Sequence, residues 1–191
     1  MPLKKRVIFG NNPLVCFFLL IHKALFIPLK QFTFNVVYTL VKIFLESKVI
    51  STKEFEYFLP HRGQMVWIDS LVEADGEKSG RCFVELDKNK PYFKEGAFNN
   101  LAFIEFIAQS YGFILAHSYK SRPEEGLNKA FIVGHEKVKL YKGLFNHGKK
   151  LYIDIEVQNF IGPFRCVKGK VLSQDLSEIF CEGIVKLFSD S

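Results

Sequence analysis

Cysteine is scarce and unpatterned. The 191 residues hold four, Cys16, Cys82, Cys166 and Cys181, with no CxxC and no histidine at metal-ligand spacing. Neither a zinc ribbon nor a disulfide scaffold is encoded, and the four read as small buried hydrophobes in a reducing, cytoplasmic compartment. Glycine (13) and proline (7) are too few for a collagen-like or low-complexity chain, and 48% apolar residues exclude a disordered one. GxxxxGKS/T, GxGxxG and HExxH are all missing, so no nucleotide, metal or other cofactor is expected. The apolar run at residues 14–21 falls well short of the ~20 residues of a membrane span.

Acidic residues are lacking only in the first quarter. Residues 1–53 carry eight bases and one acid, whereas residues 54–191 carry eighteen bases and nineteen acids. The overall charge of +6 therefore belongs to the N-terminal segment. Phosphate neutralisation needs a basic surface on the folded body, so nucleic acid is not expected as a partner. The chain divides accordingly into an extension, 1–53, and a body, 54–191. The extension joins a basic start to the apolar run, then places Phe34, Val37, Leu40, Val41, Phe44 and Leu45 at helical spacing. Three readings stand open for it: an amphipathic helix associated with a membrane surface or a partner, an export signal, and a start assigned upstream of the natural one.

In the body the period switches to two. Residues 65–72 and 80–87 read as strands joined by an Asp75-Gly76 hairpin turn. After an irregular polar stretch comes a helix over 101–119, with Asn99 or Asn100 as N-cap. Strands follow at 130–141, 151–157, 164–173 and 178–188. This is an α+β order with antiparallel neighbours. Between residues 101 and 116 the helix has a single formal charge, Glu105, and is apolar nearly all round. A helix without a polar face is buried on most sides, so the antiparallel sheet is expected to curve round it, the arrangement called a hotdog fold.

Leu59, Pro60, His61 and Arg62, followed by Met65, Val66, Trp67, Ile68 and Asp69, resemble the opening motif of the 3-hydroxyacyl-[acyl-carrier-protein] dehydratases. Ile104, Glu105, Phe106, Ile107, Ala108 and Gln109 resemble the part of that family's central helix bearing the catalytic carboxylate, and Phe131 to Gly134 resembles its next strand. The resemblance covers residues 54–189 and is greatest to the divergent branch of aryl-polyene-type clusters. It implies a homodimer acting on acyl-carrier-protein or CoA thioesters, with sites between protomers. A hotdog thioesterase and a non-catalytic acyl-binding partner subunit are the alternatives on the same scaffold.

Dehydration needs a base at the α-carbon, an acid at the hydroxyl and a donor to the thioester oxygen. Glu105 is the expected carboxyl group, with a pKa raised by its apolar helix. Gln109, one turn on, would orient it. Free N–H groups at the helix start, around Asn100 and Leu101, would meet the thioester oxygen. The family's His-Phe-Pro-Gly histidine falls here at Pro91, and no histidine lies between His61 and His117. His61 is therefore the expected base, with Arg62 beside it at the substrate. The lysines of the later strands, Lys137 to Lys170, are either a solvated sheet face or a landing surface for an acidic carrier.

Overall fold

The computed structural model describes residues 50–54, 56–119 and 129–190. The readings made for the extension lie outside the described residues up to residue 49.

The helix expected over 101–119 is α1, Ala102–Tyr119, 18 residues and about 27 Å long. Asn99 caps it: its Oδ1 accepts the Leu101 N–H (3.0 Å) and its carbonyl accepts the Ala102 N–H (2.9 Å). The strands are β1 (Ile50–Ser51), β2 (Ser70–Asp75), β3 (Ser79–Glu85), β4 (Phe93–Lys94), β5 (Ala97–Phe98), β6 (Lys129–Leu140), β7 (Lys150–Ile161), β8 (Phe164–Ser173) and β9 (Ile179–Asp190). Seven form one antiparallel sheet in the order β1-β2-β3-β7-β8-β9-β6, and β4 and β5 pair separately. The β2–β3 turn is the expected one: Gly76 has a φ of +53° and the Lys78 N–H closes onto the Asp75 carbonyl at 3.1 Å.

The sheet curves round α1. Register shifts interrupt β2, β6, β7 and the β8–β9 ladder, and each extra residue bends its strand. Inward residues of alternate strand positions, such as Val84, Ile153, Val167, Val171 and Val185, meet Phe103, Phe106, Ile107, Phe113 and Ile114 of the helix, and all of these are fully buried. Each large side chain taken out of water contributes about 1.5–3 kcal/mol. Gly169 in β8 lets the helix seat closely, because a Cβ there would lie 2.5 Å from Ile107 Cγ1.

One strand is displaced from its expected place. Residues 65–68 do not join the ladder, and the first bond to β3 is made by the Asp69 N–H, to the Phe83 carbonyl at 3.0 Å. A 3-10 turn, Gly63–Met65, leads into extended backbone, and the strand begins at Ser70. The Trp67 N–H and the Met65 carbonyl are bound by Gln109 of the helix instead of a neighbouring strand.

The basic residues of the later strands are interleaved with acids. Lys170 and Lys168 stand across from Asp154 and Glu156, and Lys139, Lys150 and Lys186 lie within 3.2–3.8 Å of Glu182, Glu85 and Glu136. Arg81 makes a two-pronged contact with Asp154 at 2.5 and 2.8 Å. Cross-strand pairing of this kind belongs to a solvated sheet face. Among the described residues, no helix is long and apolar enough to cross a membrane.

Candidate active site

Glu105 lies in the first turn of α1, and His61 in the turn that follows Leu59. His61 Nε2 and Glu105 Oε1 are 3.2 Å apart, with side chains 30% and 23% exposed. Gln109 completes the group. Its Nε2 donates to Glu105 Oε1 at 2.9 Å and to the Met65 carbonyl at 2.8 Å, while its Oε1 accepts the Trp67 N–H at 2.8 Å. The amide is used on both sides, so its orientation is fixed. A flipped amide would set oxygen against two acceptors. Gln109 is buried, and it ties the helix to the segment that follows the His61 turn. Both hydrogen bonds to Glu105 fall on Oε1. Among the described residues, Oε2 makes none.

The surrounding chain holds this geometry. Leu59 is buried beside Gly112. Trp67 stands edge-on to Tyr92 and Phe106, with ring centroids 5.2 and 5.9 Å away, and its Nε1 donates to the Gln64 carbonyl at 3.1 Å. Lys90 Nζ donates to the Val66 carbonyl at 2.8 Å. Segment 63–67 is thus pinned over the helix by one amide, one ammonium and one indole.

The Glu105 carboxyl was expected to titrate above its usual range, and it lies below it. Burial pushes its pKa up, but the hydrogen bond from His61, the one from Gln109 and the His61 charge together outweigh burial and bring it under 4.5. The helix sequence discloses the desolvation and the Gln109 neighbour one turn on, but not the His61 contact, which arrives from more than forty positions away.

Three other expected site residues stand elsewhere. Arg62 turns its guanidinium back onto the carbonyls of Leu59, His61 and Tyr57. It closes the turn that presents His61. Leu101 is 61% exposed. Neither it nor Asn100 is among the residues of the cleft beside Glu105. The helix start is largely satisfied from within: the Leu101 and Ala102 N–H groups go to Asn99, and the Phe103 N–H goes to the Asn100 carbonyl at 3.2 Å. The expected row of free donors is therefore mostly occupied. Among Asn100 to Phe103, only the Asn100 N–H has no acceptor among the described residues. Pro91 is exposed on the turn before β4 and does not line the cleft.

The cleft measures about 590 Å³ with its open mouth included, and its walls are mainly apolar. His61 and Glu105 stand in it. It runs along Ala108, Gly112 and Leu115 of the helix toward Leu187 and Ser189 of β9, with Ala130 and Ile132 of β6 on the far wall. Ala108 was named only as part of the helix motif and Gly112 not at all, yet their spacing from Glu105 puts them on its face of the helix. Small residues there leave room for a ligand beside the carboxylate. The arrangement can hold an extended apolar chain with its polar end at an acid–base pair.

A family model described as ApeP-like, ApeP dehydratase, matches residues 53–189. The 3-hydroxyacyl-[acyl-carrier-protein] dehydratase FabZ of Bacillus pumilus (strain SAFR-032) is 24% identical over 140 residues, covering 70% of this chain and 92% of its own. Among solved structures, the dehydratase heterocomplex ApeI:P from Xenorhabdus doucetiae superposes with a TM-score of 0.64 at 18% identity, covering 72% of this chain and 91% of its own. An HP0420 homologue from Helicobacter felis superposes at 0.50 with 10% identity, covering 70% and 98%. The hotdog fold read from the apolar helix and the strand order is the fold of these structures.

Proposed function

Since the chain belongs to the ApeP-like dehydratases, we propose that it removes water from a 3-hydroxyacyl thioester held in the cleft beside Glu105, giving the trans-2-enoyl thioester. The observation that carries the assignment of residues is the His61–Glu105 contact at the end of an apolar cleft.

Elimination breaks the α-carbon–hydrogen bond and the bond from the β-carbon to the hydroxyl. It forms the carbon–carbon double bond and releases water. One proton must be accepted and one given. The pair carries one proton between its two members. The low Glu105 pKa leaves the carboxylate ionised, so Oε2, which is free of hydrogen bonds from described residues, takes the α-proton. His61, starting as the imidazolium, gives that proton to the leaving hydroxyl, which departs as water, and is left as the neutral imidazole. Transfer from Glu105 back to His61 along their 3.2 Å contact restores the starting state. These roles reverse those expected from the sequence, where the carboxyl was the acid and His61 the base. Gln109 holds the carboxylate in place, and the small residues Ala108 and Gly112 admit the acyl chain.

The thioester is carried by an acyl carrier protein or by CoA, and the working form is a dimer laid along β6, one of the two edge strands of the sheet. Phe131 and Ile132 there are 56% and 39% exposed while also bordering the cleft. One observation favours a second reading. The position of the family's usual histidine is Pro91, and the Xenorhabdus doucetiae neighbour is a heterocomplex. In that reading this chain supplies Glu105 and a different hotdog subunit supplies the base.

The test is to incubate the full-length protein with 3-hydroxyacyl and with saturated acyl thioesters, on carrier protein and on CoA, and to follow enoyl product and free thiol separately. Enoyl product from the 3-hydroxyacyl substrate, with no thiol release, is expected. Thiol release from the saturated substrate would replace the proposal with a thioesterase. Neither product from the isolated chain would turn the reading to the partner-subunit form.

A further inference from the structure

We infer that Tyr111 and Arg165 form a second polar site along the cleft, away from the acid–base pair, which binds an oxygen acceptor carried by the acyl chain. The inference deepens the dehydratase reading and rests on it for the nature of the ligand.

Among the described residues, three buried side-chain polar atoms lack a hydrogen-bond partner: Ser110 Oγ, Tyr111 Oη and Arg165 Nε. Protein interiors leave few such atoms, and each one costs stability, so two of them in one place call for a reason. Ser110 does not border the cleft, but Tyr111 does. Tyr111 is 2% exposed. It lies six residues beyond Glu105 on α1, about 9 Å along the axis. Burial holds its phenol up at about 12, against the pull of the Arg165 guanidinium beside it. The two side chains are in near contact without being aligned into a hydrogen bond.

Arg165 arrives from the sheet. Ile132 of β6, Leu187 of β9 and Arg165 of β8 are partners across three neighbouring strands. Residues in one such row share a face of the sheet. Ile132 and Leu187 wall the cleft, so the row leads from the cleft to the guanidinium. Its own hairpin holds that group in place. Nη1 donates to the carbonyls of Gly162 and Phe164, and the guanidinium lies over the Phe160 ring, 4.8 Å from the centroid. Among the described residues, no carboxylate pairs with it. The phenol O–H and the Nε–H are both donors, and one of them belongs to a cation. The ligand they fit is an acceptor, an oxygen on the acyl chain remote from the thioester. A carboxylate fits better than a hydroxyl or a carbonyl, because it also answers the charge. Ala108, Gly112 and Leu115 wall the space between the two polar sites and suit the intervening carbons.

The probes are pantetheine amides of saturated acyl chains, which cannot lose water and have no thioester to hydrolyse. Chains of equal length end in methyl, hydroxyl or carboxylate. Binding across a series of lengths is measured by calorimetry on the full-length protein, on Tyr111→Phe and on Arg165→Met. At the best length the carboxylate chain should bind the wild-type protein about 10-fold or more tightly than the methyl chain. Each variant should remove most of that preference while leaving methyl-chain affinity within about twofold, as loss of one polar contact requires. Tyr111→Phe without ligand should melt at or above the wild-type temperature, because it removes a buried hydroxyl that has no partner. That variant and the wild-type comparison decide the matter even if Arg165→Met fails to fold. A carboxylate bound more tightly than a hydroxyl identifies an anion, equal binding identifies a neutral oxygen, and both support the site. A methyl chain bound as tightly as the oxygenated ones overturns it. So does a preference that survives Tyr111→Phe, or a failure of every chain to bind. The dehydratase reading is judged separately, by enoyl product. A preference in a protein that makes none keeps this site and removes that reading, and enoyl product without any preference does the reverse.

Discussion

Glu105→Gln is expected to lower the rate of enoyl formation by about 10²–10⁴-fold, the usual contribution of a positioned proton-transfer group. The replacement keeps size and can still accept from Gln109 Nε2, so the loss reflects proton chemistry rather than packing. Single-turnover rates with a 3-hydroxyacyl thioester measure it, and a change smaller than threefold would remove Glu105 from the reaction. The pH dependence has a defined sign. The folded carboxyl titrates below its usual 4.5 because hydrogen bonds and charge from His61 and Gln109 exceed the cost of burial. Activity that needs the carboxylate is therefore fully present above 4.5 and falls only as pH drops through the lower folded value. Stability follows the same direction. The favourable interaction is complete above the unfolded pKa and is lost as acid protonates the folded group. In His61→Asn both acid limbs should move to higher pH.

Gly169→Val is expected to cost several kcal/mol and to disable the site from a distance. A Cβ at Gly169 would stand 2.5, 2.6 and 2.8 Å from three side-chain atoms of Ile107, which is fully buried and has no open side to turn to. Forcing extra carbon into a filled core costs about 1–3 kcal/mol, and a β-branched side chain pressed between strand and helix belongs at or above the top of that range. Ile107 lies two residues beyond Glu105. Pushing it away from β8 displaces the turn of helix that sets the His61 distance, so activity should fall even in the fraction that remains folded. Urea unfolding gives the stability loss. The double variant Gly169→Val, Ile107→Ala supplies space for the added carbons, and it should recover part of both stability and rate. A stable, fully active Gly169→Val protein would mean that the helix is not held against β8 in this way.

The scaffold was readable from the chain because its strongest signals are periodic and local. One helix is apolar nearly all round and capped by an asparagine. The strands alternate, and the 164–173 segment coincides with β8 to the residue. What escaped the sequence depends on contacts between distant segments. Residues 65–72 alternate like a strand, yet the first half is claimed by the Gln109 amide, a side chain forty residues away that takes the place of a ladder neighbour. The direction of the Glu105 pKa was misread for the same reason. Burial can be inferred from an apolar helix, but the partners that oppose it come from the His61 turn and from Gln109. Gln109 was legible as an orienting group because i and i+4 share a face. Arg62 was placed at substrate because it adjoins His61, whereas a short turn lets its long side chain return to its own backbone. At the helix start the expected donors were counted without the cap that consumes them, although Asn99 was already a candidate cap.

Dehydration run in reverse, as hydration in deuterium oxide, tests the central claim most directly. The enoyl thioester is incubated with wild-type protein and with Glu105→Gln, and the 3-hydroxyacyl product is examined by mass and by proton NMR. The account predicts one deuterium at the α-carbon with wild-type protein, delivered by the carboxyl of Glu105, and no product in the same time with the variant. Labelled product formed by Glu105→Gln at the wild-type rate would contradict it.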